Sequence, residues 1–144
     1  MCVATSLSIA MVVPQRASTV PLVVCCVSAG FPSPADDYLD RPLDFNELLV
    51  ANPDATFAVR VVGDSMIDAG IFPGDIAVVD RSKTATDGTI VLAVLDGEFT
   101  IKRYRQRGER RWLEPENKAY KPIELDEHSH FEVWGCVRNS IRML

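Results

Sequence analysis

"GTIVLAVLDGEFTIKRY", Gly88 to Tyr104, sets two apolar, β-rich runs on either side of Asp96-Gly97. Asp-Gly between such runs is a favoured centre for a two-residue hairpin, because both central residues of that turn take positive φ. Two antiparallel strands are therefore expected here. Along the second, alternation puts Glu98, Thr100, Lys102 and Tyr104 on one face and Phe99, Ile101 and Arg103 on the other. Similar runs surround the hairpin: "TFAVRVV" ending at Gly63, "DIAVVD" ending at Asp80, then "RRWLEPE", "KPIEL" and "HFEVWGCVRNSIRML". Their spacing predicts a compact, mainly β, mostly antiparallel body, and the lack of long helical periodicity excludes a doubly wound fold. One short helix is expected in "DFNELLVANP": Asp44 can cap it, Glu47 follows three residues on, and Asn52-Pro53 stops it.

Upstream the character changes. Pro32, Pro34 and Pro42 punctuate "GFPSPADDYLDRPLD", which reads as an extended linker between an arm and the body. The arm is apolar, but its first basic residue, Arg16, follows "SLSIAMVV" where a secretory signal needs it in front. Pro14 and Pro21 interrupt the run, and no stretch reaches the length of a membrane span. A flexible arm on a cytoplasmic chain is the expectation, with translation starting at Met1 or Met11.

The 144 residues suit one ordinary domain with a tail, and 47% hydrophobic against 24% charged residues marks it as globular. A net charge of −5 argues against nucleic acid as the main partner, since phosphate contacts need a positive surface. The basic cluster "KRYRQRGERR", Lys102 to Arg111, reads as a solvated hairpin end, with a partner or phosphate contact as the alternative. Cys2, Cys25, Cys26 and Cys136 form no disulfide or metal-binding spacing, which fits a reduced chain. His128 and His130 stand in a late polar stretch without a second ligand cluster, so neither metal nor cofactor is expected.

"VVGDSMIDAGIFPGD", Val61 to Asp75, places Ser65 on a Gly-Asp turn. Taken alone, such a serine is a turn residue, and a lysine on a strand is a solvated charge. Taken together, Ser65 and Lys102 supply a nucleophile and a candidate base, because a desolvated lysine can deprotonate a hydroxyl without a histidine. The turn Gly63-Asp64-Ser65 can also present backbone N–H groups to an oxyanion.

At this point "AGFPSPADDY", "DFNELL", "GDSMIDAGI", "PGDIAVVD" and "DGEFTIKRY" bring a specific resemblance over residues 29–144. The chain resembles the LexA-like family of self-cleaving serine peptidases (S24 type), most closely its UmuD-like members. The resemblance implies a LexA/signal-peptidase-type β body, with Ser65 and Lys102 as catalytic residues and the Asp64 and Ser65 amides as the oxyanion hole. It implies a cut at Ala29-Gly30, dividing an arm (residues 1–29) from a catalytic and dimerisation domain (residues 30–144). It further implies a cytoplasmic homodimer of the SOS response, stimulated by RecA filaments on single-stranded DNA. The product would be accessory to a Y-family (UmuC-like) error-prone translesion DNA polymerase. A small-residue–Gly bond suits a narrow groove, and Pro32 and Pro34 keep the chain beyond it extended.

Three rival readings share some of these features. Signal peptidase uses the same chemistry with a membrane anchor; a repressor needs a helix-turn-helix, for which the 29 residues before Gly30 are too few and too interrupted. An inert polymerase-binding module would retain Ser65 and Lys102 as relics.

Overall fold

The computed structural model describes Thr19–Val20 and residues 42–144. The chain divides into two units, Met1–Leu48 and Leu49–Leu144. In the first, β1 (Thr19–Val20) pairs antiparallel with β2 (Leu43–Asp44). Helix α1 (Phe45–Leu49) follows at once. Asp44 Oδ1 accepts the N–H of Asn46 at 2.9 Å and of Glu47 at 3.4 Å, the capping role its sequence position indicated. The expected cut, Ala29-Gly30, and the linker residues Pro32 and Pro34 lie outside the described residues, as do Cys2, Cys25 and Cys26.

The second unit is a single seven-stranded antiparallel sheet. Its strands are β3 (Thr56–Arg60), β4 (Ile76–Asp80), β5 (Ile90–Leu95), β6 (Glu98–Arg107), β7 (Arg110–Glu114), β8 (Ile123–Leu125) and β9 (Phe131–Ile141). The order across the sheet is β3-β4-β9-β5-β6-β7-β8. The fold is thus mainly β, with one short α-helix among the described residues, as the runs predicted. Each run quoted above contributes one strand, and the hairpin contributes two. Asp96 and Gly97 both have positive φ, 48° and 83°, and join β5 to β6 in the expected register, Leu95 opposite Glu98.

Two clusters gather most of the buried hydrophobic side chains. Val91, Ala93, Tyr104, Leu113 and Leu125 form one, beneath the β5–β8 meander. Val61, Met66, Ile71 and Ala77 form the other, joined by Ile90, Ile101 and Val137. This second cluster lies under the segment between β3 and β4, where Ser65 sits. Packing there holds the segment to the sheet through Met66 and Ile71, which are 2% and 4% exposed.

Three arginines of the basic stretch of β6 and β7 are paired with carboxylates. Arg103 pairs with Glu116, Arg105 with Glu114 at 2.7 Å, and Arg110 with Glu124, while the Arg110 guanidinium also lies over the Trp112 ring. Cys136 is buried and forms no disulfide with a described residue, and burial pushes its thiol pKa up. Among the described residues no helix is long and apolar enough to cross a membrane, and no group of three His, Cys, Asp or Glu gathers.

Candidate active site

Two elements separated by 37 positions bring Ser65 and Lys102 together. Lys102 Nζ donates to Ser65 Oγ at 2.9 Å. The same nitrogen reaches Thr100 Oγ1 at 2.7 Å and the Ile101 carbonyl at 3.1 Å. All three partners are neutral oxygens. Lys102 and Thr100 stand opposite Val91 and Ala93, both fully buried, in the β5–β6 register. Desolvation therefore governs this amine and lowers its pKa from the ordinary lysine range, because burial disfavours the charged form.

The turn that carries Ser65 is fixed on several sides. At its base, Gly74 N–H bonds the Val61 carbonyl and Val61 N–H bonds the Asp75 carbonyl, both at 2.8 Å, closing residues 61–75 into a loop. Asp75 is itself locked. Its carboxylate accepts a two-point contact from Arg142 at 3.0 and 3.2 Å, the Ser140 hydroxyl at 3.0 Å and the Phe72 N–H at 2.9 Å. The Arg142 hydrogen bonds, followed by that from Phe72, hold the Asp75 pKa down to about 2. Immediately after Ser65, Met66 enters the core and a 3-10 turn, Ile67–Ala69, carries the chain away.

The outer side of the turn is held by residues the sequence reading did not single out. Glu116 N–H donates to the Ser65 carbonyl and Asp68 N–H to the Glu116 carbonyl, each at 2.8 Å. Asn117 Nδ2 donates to the Asp64 carbonyl at 2.9 Å, and the Tyr120 hydroxyl to Asp64 Oδ1. Glu116 is in turn gripped by Arg103, the strand neighbour of Lys102. "PENKAY", Pro115 to Tyr120, advertises a turn through Pro115 and Asn117. Its partner, some fifty positions upstream, is not signalled by anything local.

The arrangement thus offers a hydroxyl, an amine depressed by burial, and the Asp64-Ser65 backbone in one anchored turn. Of the sequence-predicted site residues, Ser65, Lys102 and Asp64 are brought together; Ala29 and Gly30 are outside the described residues.

An antiparallel β body thus brings a serine hydroxyl and a half-buried lysine amine into contact. Comparison with known proteins narrows this. Residues 21–138 match the family described as "Peptidase S24-like". "Protein MucA" of Salmonella typhimurium is 42% identical over 128 residues, covering 88% of this chain and 87% of the relative. "Protein SamA" of Salmonella typhimurium strain LT2 is 43% identical over 120 residues, 83% of each chain. "LexA repressor 1" of Xanthomonas oryzae is 44% identical over 117 residues, 81% of this chain but 57% of the repressor. The chain belongs to the S24 peptidase family, as a UmuD-like member of its LexA-like group. Its general chemistry is accordingly that of a serine peptidase.

Proposed function

We propose that this chain is a self-cleaving serine peptidase of the SOS response that cuts its own Ala29-Gly30 bond. In this reading RecA filaments on single-stranded DNA stimulate the cut, and the product serves as accessory subunit of a Y-family translesion polymerase. The observation that carries the reading is the 2.9 Å contact between Lys102 Nζ and Ser65 Oγ, with the amine depressed by burial.

The proposed reaction runs in two stages, acylation and hydrolysis. Neutral Lys102 takes the Ser65 proton as Oγ attacks the Ala29 carbonyl carbon. The oxyanion that forms is met by the Asp64 and Ser65 N–H groups. As the C–N bond breaks, the Lys102 ammonium returns the proton to the departing Gly30 amine, leaving Ala29 esterified to Ser65. Water, deprotonated by Lys102, then hydrolyses the ester and frees the arm. Each chain cuts once, so the rate is set by how often the arm occupies the site, a population that a docked filament raises.

Intact-mass measurement after incubation at alkaline pH tests the chemistry. The expected product begins at Gly30 and is absent from Ser65→Ala protein. Loss of residues 1–29 should accelerate when RecA, single-stranded DNA and a nucleotide triphosphate are added. An unchanged mass under both conditions would leave the inert polymerase-binding module as the better account.

A further inference from the structure

The Asp64-Ser65 peptide is held by a side chain outside its own loop. A peptide unit is planar and trans, so its C=O and N–H point in opposite directions and aiming one aims the other. Here the Asp64 carbonyl is fixed by Asn117 Nδ2 at 2.9 Å, with a longer 3.4 Å bond from the Ile67 N–H on the same oxygen. Asn117 is held in turn, because its Oδ1 accepts the Ala119 N–H at 3.0 Å and its carbonyl accepts the Tyr120 N–H at 3.1 Å. One residue further on, Glu116 N–H takes the Ser65 carbonyl. Both carbonyls flanking the Ser65 N–H are thus committed to residues 116–117, while that N–H donates to no described residue.

We infer that Asn117 is a positioning residue that aims the Ser65 N–H at the oxyanion, an inference that rests on Ser65 being the nucleophile. The contribution appears in the transition state, when negative charge reaches the oxygen that the N–H must meet. Proton transfer from Ser65 to Lys102 does not pass through Asn117. Losing the Asn117 donor should therefore lower the maximal cleavage rate without moving the pH at which Lys102 becomes neutral.

The test is self-cleavage of the full chain at a series of pH values, followed by intact mass, with melting temperature measured on the same samples. Asn117→Ala is expected to lower the high-pH plateau about 10- to 100-fold, part of the loss seen when an oxyanion donor is removed outright. Its inflexion should stay at the wild-type pH. Asn117→Asp keeps the shape and the acceptor for Ala119 but lacks the Nδ2 donor, so its plateau should fall at least as far. A role in packing or in the local turn alone would leave Asn117→Asp at the wild-type plateau, and that result overturns the inference. So does a plateau loss accompanied by unfolding at the assay temperature. Ser65→Ala runs alongside: if it still cuts, the peptidase reading fails. If it is inert while both Asn117 variants cut at the wild-type plateau, only the positioning role fails.

Discussion

Lys102 Nζ is surrounded by oxygen atoms that can accept from an ammonium, yet burial lowers its pKa. In the proposed mechanism the neutral amine is the active form. Self-cleavage without RecA should therefore rise with pH and level off above the lowered lysine pKa. Thr100 Oγ1 is the shortest of the three contacts and stabilises the charged form. Thr100→Val removes it, so the inflexion should move to lower pH; an inflexion that stays in place would show that the hydroxyl does not bear on the titration. Lys102→Arg and Lys102→Ala should both stop cleavage, since guanidinium stays protonated and alanine has no base. A Lys102→Arg protein that still releases the arm would return Ser65 to an ordinary turn residue. The Ser65–Lys102 pairing was readable beforehand because the motifs around each residue are long and local. Asn117 was not, since a turn asparagine looks the same whichever distant carbonyl it meets.

Among the elements, β9 does what no local pattern announces. The hairpin β5–β6 could be read from Asp96-Gly97, and β7 and β8 continue the meander in chain order. β9 instead inserts between β4 and β5, with register shifts at Val78/Val79 and Leu92/Ala93. Apolar alternation marks it as a strand but carries no address. Gly135 shows how tight the insertion is: a Cβ there would lie 2.6 Å from Val79 Cγ1 and 3.0 Å from the Asp80 carbonyl oxygen. Gly135→Ala should cost about 1–3 kcal/mol through overpacking. Urea unfolding should show this as a lower midpoint at unchanged slope; an unchanged midpoint would mean that β4 and β9 separate freely. The end of β9 also reaches back through Ser140, and just beyond it Arg142, to Asp75. Asp75 has a folded pKa of about 2, below that of an unfolded aspartate, so its contribution is present above the unfolded value and lost as pH falls toward 2. Arg142→Ala should remove that acid resistance, and a wild-type acid-unfolding profile for the variant would discount the lock.

At the scale of the molecule, the fold class was legible because every strand in the body carries its own alternation or apolar run. The division between arm and body was read from Pro32, Pro34 and Pro42 and from the expected cut, and of these only Pro42 is among the described residues. Both buried clusters are drawn from residues 59–137. If the arm serves as substrate and not as a structural element, cutting it away should leave those clusters intact. The cleaved product and full-length Ser65→Ala protein are therefore expected to melt within a few degrees of each other, and light scattering should find both as dimers at micromolar concentration. Ser65→Ala is the right reference because it cannot shorten itself during the scan. A product that melts much lower, or falls to a monomer, would show that residues 1–29 stabilise the body. The arm would then be part of the fold, and cleavage would act by loosening the protein and not by releasing a finished accessory subunit.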